Sequence, residues 1–350
     1  MDDLKTLLKK LSEATGVSAM EKDVKDIVKE ELAKLKIPFK EDLVGNIVAL
    51  KKGSRGAGKV MLASHIDEIG LMVTFLDENI LRFTTVGGID ERILPGQEVI
   101  VYGKRPLKGV IGSIPPHFVS KEKQNKVLST EELFIDVGLS AKELKRNVET
   151  GNFVGLRKNF QELMNERYSG KSLDNRVSVL SLLLLFDELK RINHNWDVYS
   201  AFTVQEEITG LGAVSSSYNI QPDVGIAVDV GFGKQSNFPS EYTVELDKGP
   251  AIAIGPNLHP GLESSIVQIA KDYEVPYQIV AAPGVTGTDA CDIQISRQGI
   301  PTILVSIPLL YMHTPCEVVM LKDVKRTARL LSLFISHLSS DMFKGDKYAT

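Results

Sequence analysis

The sequence contains few cysteines and no long apolar run. Its 350 residues include only Cys291 and Cys316, which excludes a disulfide framework and favours a reducing compartment. The longest apolar run, residues 179–186, is interrupted by Ser181 and is too short to cross a bilayer. The first residues predict an amphipathic helix and not a secretory signal. We therefore expect a cytoplasmic protein that makes no membrane contact.

The sequence also lacks a strong excess of charge. A net charge of -4 argues against the broad basic face that a nucleic-acid partner requires. Hydrophobic residues make up 43% of the chain and charged residues 25%, as in ordinary globular proteins. The length suits one large domain with a smaller one, or two domains.

Apolar strands alternate with amphipathic helices over most of the chain. This alternation predicts an α/β fold, with a three-layer α/β/α main domain built on a mixed sheet. From Gly70 to about Phe160 the pattern changes to short alternating segments that are broken by glycine and proline. We therefore predict a main domain formed by residues 1–67 and 165–350, and a small all-β insertion formed by residues 68–164.

Two adjacent carboxylates, Glu206 and Glu207, follow a strand predicted for residues 198–204. Neighbouring anions repel one another, and burial strengthens the conflict. A bound dication would relieve it, because one carboxylate could ligate the metal while the other stays free as a base. The alternative is a solvated pair at a strand end, which is favoured when the pair is considered alone.

Other polar residues interrupt apolar segments in a similar way. His65 and Asp67 follow a strand at residues 59–64, and their spacing suits a histidine ligand that a neighbouring carboxylate orients. A hydrogen-bonded structural histidine is the alternative. Asp174 precedes a helix predicted for residues 176–190, where it could be an N-cap or a carboxylate that bridges two metal ions.

Two further candidates lie near the ends of later strands. Asp229 ends an apolar strand, and His313 lies in a loop beyond the strand at residues 301–307. In open α/β sheets, the carboxyl ends of the strands meet at one crevice. Two histidines and three carboxylates are a plausible ligand set for two divalent ions, each with an open position for water or substrate.

Six segments together resemble the tetrahedral metallo-aminopeptidase family, which includes glutamyl and deblocking aminopeptidases. They follow the order of the family's motifs and extend over nearly the whole chain. The segments are HIDEIG at 65–70, LDNR at 173–176, QEE at 205–207, VDVG at 228–231, GTDA at 287–290 and HTPCE at 313–317.

The resemblance implies two divalent metal ions in each subunit. Asp174 resembles the carboxylate that bridges both ions. His65 and Asp229 resemble the ligands of one ion, and Glu207 and His313 those of the other. Zinc or cobalt is expected and manganese is possible, because mixed histidine and carboxylate sites accept several metals.

The resemblance also implies a general base at Glu206 and an orienting role toward His65 at Asp67. The implied activity is hydrolysis of N-terminal residues from peptides. The insertion at 68–164 resembles the family's small β domain, which supports dimer contacts, and the dimers of the family build a hollow particle of twelve subunits. The alternatives are a related metal-dependent deacylase or carboxypeptidase, or a scaffold that kept the fold and lost the chemistry.

Two positions depart from the family's pattern. The family usually continues its glutamate pair with Val-Gly-Leu-Arg-Gly, whereas this chain has Ile-Thr-Gly-Leu-Gly at 208–212 and lacks the arginine. Thr314 stands where the family often has serine. Asp289 lies in a matching motif, but its position in the sequence does not define a role.

Overall fold

The computed structural model describes residues 3–118, 126–236 and 238–342 of the chain. The α-helices in these ranges are α1 (Leu4–Glu13), α2 (Lys22–Leu35), α3 (Ala141–Asn147), α4 (Leu173–Glu188), α5 (Leu211–Ile220), α6 (Pro260–Asp272), α7 (Asp289–Gln294) and α8 (Leu321–His337). The strands are β1 (Phe39–Glu41), β2 (Ile47–Lys51), β3 (Lys59–His65), β4 (Gly70–Asp77), β5 (Ile80–Val86), β6 (Glu98–Tyr102), β7 (Pro106–Ser113), β8 (Leu133–Asp136), β9 (Phe153–Leu156), β10 (Gln161–Leu163), β11 (Arg167–Gly170), β12 (Asp197–Thr203), β13 (Val224–Phe232), β14 (Ala251–Ile254), β15 (Gln278–Ala281), β16 (Thr302–Leu309) and β17 (Glu317–Met320).

A central sheet of eight strands has the order β1-β2-β12-β3-β13-β16-β14-β15. Strands β12, β3, β13 and β16 are parallel neighbours, whereas β2 runs antiparallel to β12 and β14 runs antiparallel to β16. The inner strands are rich in aliphatic residues, as expected for parallel strands that are covered on both faces. The predicted mixed sheet is therefore confirmed.

Helices cover both faces of this sheet. Alternate residues of β3 face opposite layers. Val60 and Leu62 belong to the large core that includes α1, α2, α4, α6 and α8, whereas Met61 and Ala63 pack with α5 and α7. Helix α4 is buried over most of its circumference because it lies between the sheet and other helices. These contacts confirm the predicted α/β/α fold.

A closed barrel of six strands follows β3 in the chain, with the order β4-β5-β8-β7-β6-β9. It has its own apolar core, which includes Leu71, Phe83, Val99 and Ile135. The strands of the barrel lie inside the predicted insertion at 68–164, which also contains residues 119–125 outside the described ranges. The exact domain boundaries and the role of the insertion in assembly stay predictions.

Two shorter features complete the fold. Strands β10, β11 and β17 form a small antiparallel sheet. Within the described ranges, none of the helices combines the length and apolar character that crossing a membrane would require.

Candidate functional site

A cleft of about 630 Å³ opens at the carboxyl ends of β3, β12 and β13. The side chains that line it include every residue that the sequence predicted as a metal ligand or a base. These residues are His65, Asp174, Glu206, Glu207, Asp229 and His313. Asp67 is fully buried next to them. The parallel strands therefore bring together residues that are far apart in the sequence.

The ligand candidates form two clusters of three residues that share Asp174. His65, Asp174 and Asp229 form the first cluster, and Asp174, Glu207 and His313 form the second. Each cluster offers three ligand atoms that lie within 4.8 Å of one another. The three residues of the first cluster are all buried, whereas Glu207 and His313 of the second cluster are only partly buried.

Asp174 connects the clusters through its two carboxylate oxygens. Oδ1 lies 3.2 Å from Nε2 of His65, and Oδ2 lies 3.4 Å from Nε2 of His313. Ser172 occupies the N-cap position of α4, and Asp174 follows it with non-helical backbone angles. The carboxylate of Asp174 therefore faces the histidines and does not cap the helix.

Both histidines present the same ring nitrogen to the clusters. Nδ1 of His65 lies 3.2 Å from the carbonyl oxygen of Asp67, and Nδ1 of His313 lies 2.7 Å from the carbonyl oxygen of Gly88. A carbonyl oxygen can only accept a hydrogen bond, so Nδ1 must carry the proton. When such a ring is neutral, as a metal ligand must be, its Nε2 holds a lone pair that can bind the metal.

Gly88 belongs to the loop that follows barrel strand β5, so the barrel contributes directly to the site. A Cβ atom at Gly88 would lie only 3.2 Å from Nδ1 of His313. The absence of a side chain at residue 88 therefore lets the backbone approach the imidazole closely. No pattern in the sequence indicates this contact.

Asp67 contacts three parts of the site. Its Oδ1 accepts a hydrogen bond from the backbone N–H of Glu206 at 3.1 Å, and its Oδ2 accepts one from the N–H of Glu207 at 3.2 Å. Oδ2 also accepts a hydrogen bond from Ser18, and Oδ1 lies 3.4 Å from Nδ1 of His65. Burial raises the pKa of Asp67, but the contacts with His65 and Ser18 lower it below its usual value. The carboxylate stays ionised and fixes both His65 and the turn that carries the glutamates.

The cleft concentrates more carboxyl groups than its two imidazoles could balance if all of them were ionised. Burial raises the pKa of Glu206 to about 9, and the carboxylates of Asp229 and Asp289 act in the same direction. Burial and the carboxylate of Asp174 raise the pKa of Glu207 to about 7. Divalent cations would compensate this charge, and imidazole nitrogens with carboxylate oxygens are suitable ligands for zinc, cobalt or manganese. The residues present therefore fit a metal centre.

A family model described as M42 glutamyl aminopeptidase matches residues 45–330. The chain belongs to the M42 family. The lysyl aminopeptidase of Pyrococcus furiosus is 36% identical over 338 residues, which cover 95% of this chain and 96% of the relative. The match supports the resemblance that the six sequence motifs indicated.

Solved structures of similar peptidases agree with this assignment. Aminopeptidase APDkam598 from the archaeon Desulfurococcus kamchatkensis superimposes with a TM-score of 0.89 at 37% identity, covering 98% of both chains. The TET1 peptidase of Pyrococcus horikoshii gives a TM-score of 0.84 at 30% identity, covering 96% of this chain and 100% of the other. The structure of that peptidase is described as able to assemble into a tetrahedron or a large octahedral shell.

Glu317 is a residue of this M42 site for which the sequence motifs alone indicated no role. Its side chain is buried, and its two carboxylate oxygens accept hydrogen bonds from the backbone N–H groups of Asp174 and His313, at 3.1 and 2.9 Å. It therefore holds the backbones of two ligand candidates in a fixed relation. Its place at the end of the HTPCE motif was the available signal, but spacing alone does not reveal the contact with Asp174.

Asp289 lies at the start of α7, next to the end of β12. Its Oδ2 accepts a hydrogen bond from Thr203 at 2.6 Å, while its Oδ1 is buried without a partner among the described residues. Burial raises the pKa of Asp289 to about 6. Asp289 is outside both ligand clusters of the M42 site and adds to the negative charge around Glu206.

The loop that departs from the family's pattern lines the same cleft. Ile208, Thr209 and Gly210 are part of the lining, and Leu211 is 42% exposed. A Cβ atom at Gly210 would overlap the carboxylate of Asp292. This M42 protein therefore has a loop that packs closely against α7.

Proposed function

We propose that the protein is an aminopeptidase that hydrolyses the N-terminal residues of peptides with two divalent metal ions. The observation that supports this most strongly is the position of Asp174, which offers one carboxylate oxygen to each ligand cluster. A carboxylate that bridges two metals requires this arrangement. Membership of the M42 family supplies the expected class of reaction.

The residues of the two clusters would hold the ions. His65 and Asp229 would bind one, Glu207 and His313 the other, and Asp174 would bind both. When bound, divalent ions polarise the scissile carbonyl and lower the pKa of water. Zinc or cobalt suits this mixture of nitrogen and oxygen ligands, and manganese is compatible with it.

Glu206 is the proposed general base. It lines the cleft but is outside both ligand clusters, and its Oε2 lies 3.8 Å from Nε2 of His65. With dications bound nearby, which favour the ionised form of a carboxyl group, Glu206 would accept a proton from the attacking water and deliver it to the leaving amine. The hydrogen bond from the backbone of Glu206 to Asp67 fixes the turn from which this side chain extends.

Metal dependence and the direction of cleavage test this function together. We expect exhaustive chelation to abolish turnover of short peptides and added zinc or cobalt to restore it, because the clusters lose their charge balance without metal. Mass spectrometry of a peptide series should show loss of single residues from the free amino terminus.

Two results would contradict the proposed function. Internal fragments or trimming from the carboxyl terminus would indicate another class of peptidase. Full activity after chelation, with no metal detected by elemental analysis, would exclude the two-metal site. A peptide with an acetylated amino terminus provides the matched control and should be resistant.

We also propose that the subunits form dimers that assemble into a dodecamer. The tetrahedral assembly of the TET1 relative supports this, because one dimer on each edge of a tetrahedron gives twelve subunits. The proposed units are residues 1–67 and 165–350 for catalysis, and 68–164 for contacts between subunits. Phe75 and Val110 of the barrel are 60% and 51% exposed, which suits a surface that another subunit covers.

Light scattering in moderate salt checks the assembly. We expect a mass close to twelve times that of the monomer. A mass near that of the monomer would refute the proposed dodecamer. The same sample should cut folded proteins poorly, since a hollow particle would exclude them.

A further inference from the structure

A second pocket, of about 360 Å³, continues from the cleft on the side of β13. The two cavities share residues of the β13 end and of the loop before α7. These shared residues are Val230, Phe232, Val285, Thr286 and Thr288. Val230 directly follows the ligand candidate Asp229 in β13. The entrance of the pocket is therefore next to the first ligand cluster.

The pocket ends on the central sheet. Ala251 and Ala253 of β14 and Leu304 and Ser306 of β16 line its inner part, and all four are buried. Because the alanine side chains are small, the pocket stays deep above these strands. A side chain can enter this space, but a peptide chain cannot continue through the sheet.

The lining is uncharged. Among the described residues that form it, none is aspartate, glutamate, lysine, arginine or histidine, and the polar side chains are the hydroxyls of Tyr242, Thr286, Thr288 and Ser306. An ionised side chain that entered would lose its water without gaining a counter-ion, which is costly. An apolar side chain would instead be stabilised by leaving water.

The size of the pocket suits a large side chain. At ~30 Å³ for each water molecule, its volume corresponds to about twelve waters. About twelve waters outnumber the non-hydrogen atoms in the side chain of leucine or phenylalanine, so the pocket has room for either side chain. An aminopeptidase substrate has one side chain before the scissile bond, and this pocket adjoins the cluster where that bond would lie.

We propose that this pocket receives the side chain of the substrate's N-terminal residue and selects uncharged apolar residues such as leucine and phenylalanine. Lysine and glutamate at the same position are disfavoured. The proposal rests on the aminopeptidase function proposed above and adds the class of substrate.

Peptides that differ only in the first residue test the proposal with the metal-loaded protein. We expect kcat/KM for leucine and phenylalanine to exceed that for lysine and glutamate by ~10²-fold or more. Changes of charge in the second residue should alter kcat/KM by less than ~10-fold. Preference for lysine or glutamate, or a stronger effect of the second residue, would overturn the inference while leaving the aminopeptidase function intact. Failure to hydrolyse any of these peptides would overturn both.

Binding can be measured without turnover. Free leucine and phenylalanine, as product analogues, should raise the Tm of the protein more than lysine and glutamate at equal concentration. Equal shifts for all four amino acids would contradict the proposed selectivity.

A pair of variants on β15 locates the selectivity in this pocket. Val280 lines the pocket. Ile279, its neighbour in the strand, does not line the pocket and is 47% exposed. Val280→Glu should increase the kcat/KM of a lysine peptide relative to a leucine peptide by ~10-fold or more, because the new carboxylate supplies a counter-ion. The matched control Ile279→Glu should leave the ratio unchanged. An equal ratio of lysine to leucine kcat/KM in both variants would refute the assignment of selectivity to this pocket. If Val280→Glu does not fold, the comparison of peptides with the unaltered protein decides the question.

Discussion

Glu206→Gln should reduce kcat by ~10²–10⁴-fold, the usual cost of losing a general base, and leave the metal content unchanged. Glutamine has nearly the same size as glutamate and keeps a hydrogen-bonding oxygen, but it cannot accept the proton of the attacking water. Glu206 is outside both ligand clusters, so the ions should stay bound. Steady-state kinetics with elemental analysis of the same preparation provides the measurement.

Glu207→Gln is the matched comparison for this prediction. Glu207 belongs to the second cluster, with Oε2 located 3.5 Å from Nε2 of His313. Replacing an anionic ligand with a neutral amide should weaken the binding of one ion, so added metal should restore part of the activity. Rescue of Glu206→Gln by metal, without rescue of Glu207→Gln, would show that the two roles are reversed. Parental activity in both variants would place the chemistry elsewhere.

Asp174→Asn should lower the metal content from about two ions per subunit to about one. The two oxygens of Asp174 face different histidines, and an amide has only one oxygen to offer. Loss of one ion removes several kcal/mol of stabilisation from the transition state, so kcat/KM should fall by ~10³-fold or more.

Asp292→Asn is the control for this variant. Asp292 lines the same cleft but is outside both ligand clusters, so its replacement should leave the metal content near two. Elemental analysis of both variants after gel filtration decides the result. Two tightly bound ions in Asp174→Asn would exclude a bridging role for Asp174.

The central strands were predictable because they are long, apolar and ended by polar residues. In β3, β12 and β13 the run of apolar residues is interrupted at His65, at the glutamate pair or at Asp229. Such an interruption is visible in a single sequence because a carboxylate or imidazole is costly to bury without a partner. In open α/β sheets the carboxyl ends of the strands meet at one crevice, and this rule predicted that these residues lie close together.

Short elements and contacts between distant residues were not predictable in this way. Helix α7 has six residues and strand β17 has four, which is too short for a periodic pattern. Glu317 and Asp174 are separated by 143 positions, and no local pattern connects them. The division of the ligands into two sets came from the family resemblance, since residue types alone do not specify which ligands share an ion.

The hydrogen bond between Gly88 and His313 joins residues that are 225 positions apart. It means that the barrel is not a dispensable module added to a complete enzyme. A shortened chain that lacked the barrel would also lack the carbonyl acceptor at Nδ1 of His313 that turns Nε2 toward Asp174. Attempts to engineer a minimal catalytic core from this protein should therefore retain the β5 loop or supply another carbonyl in its place.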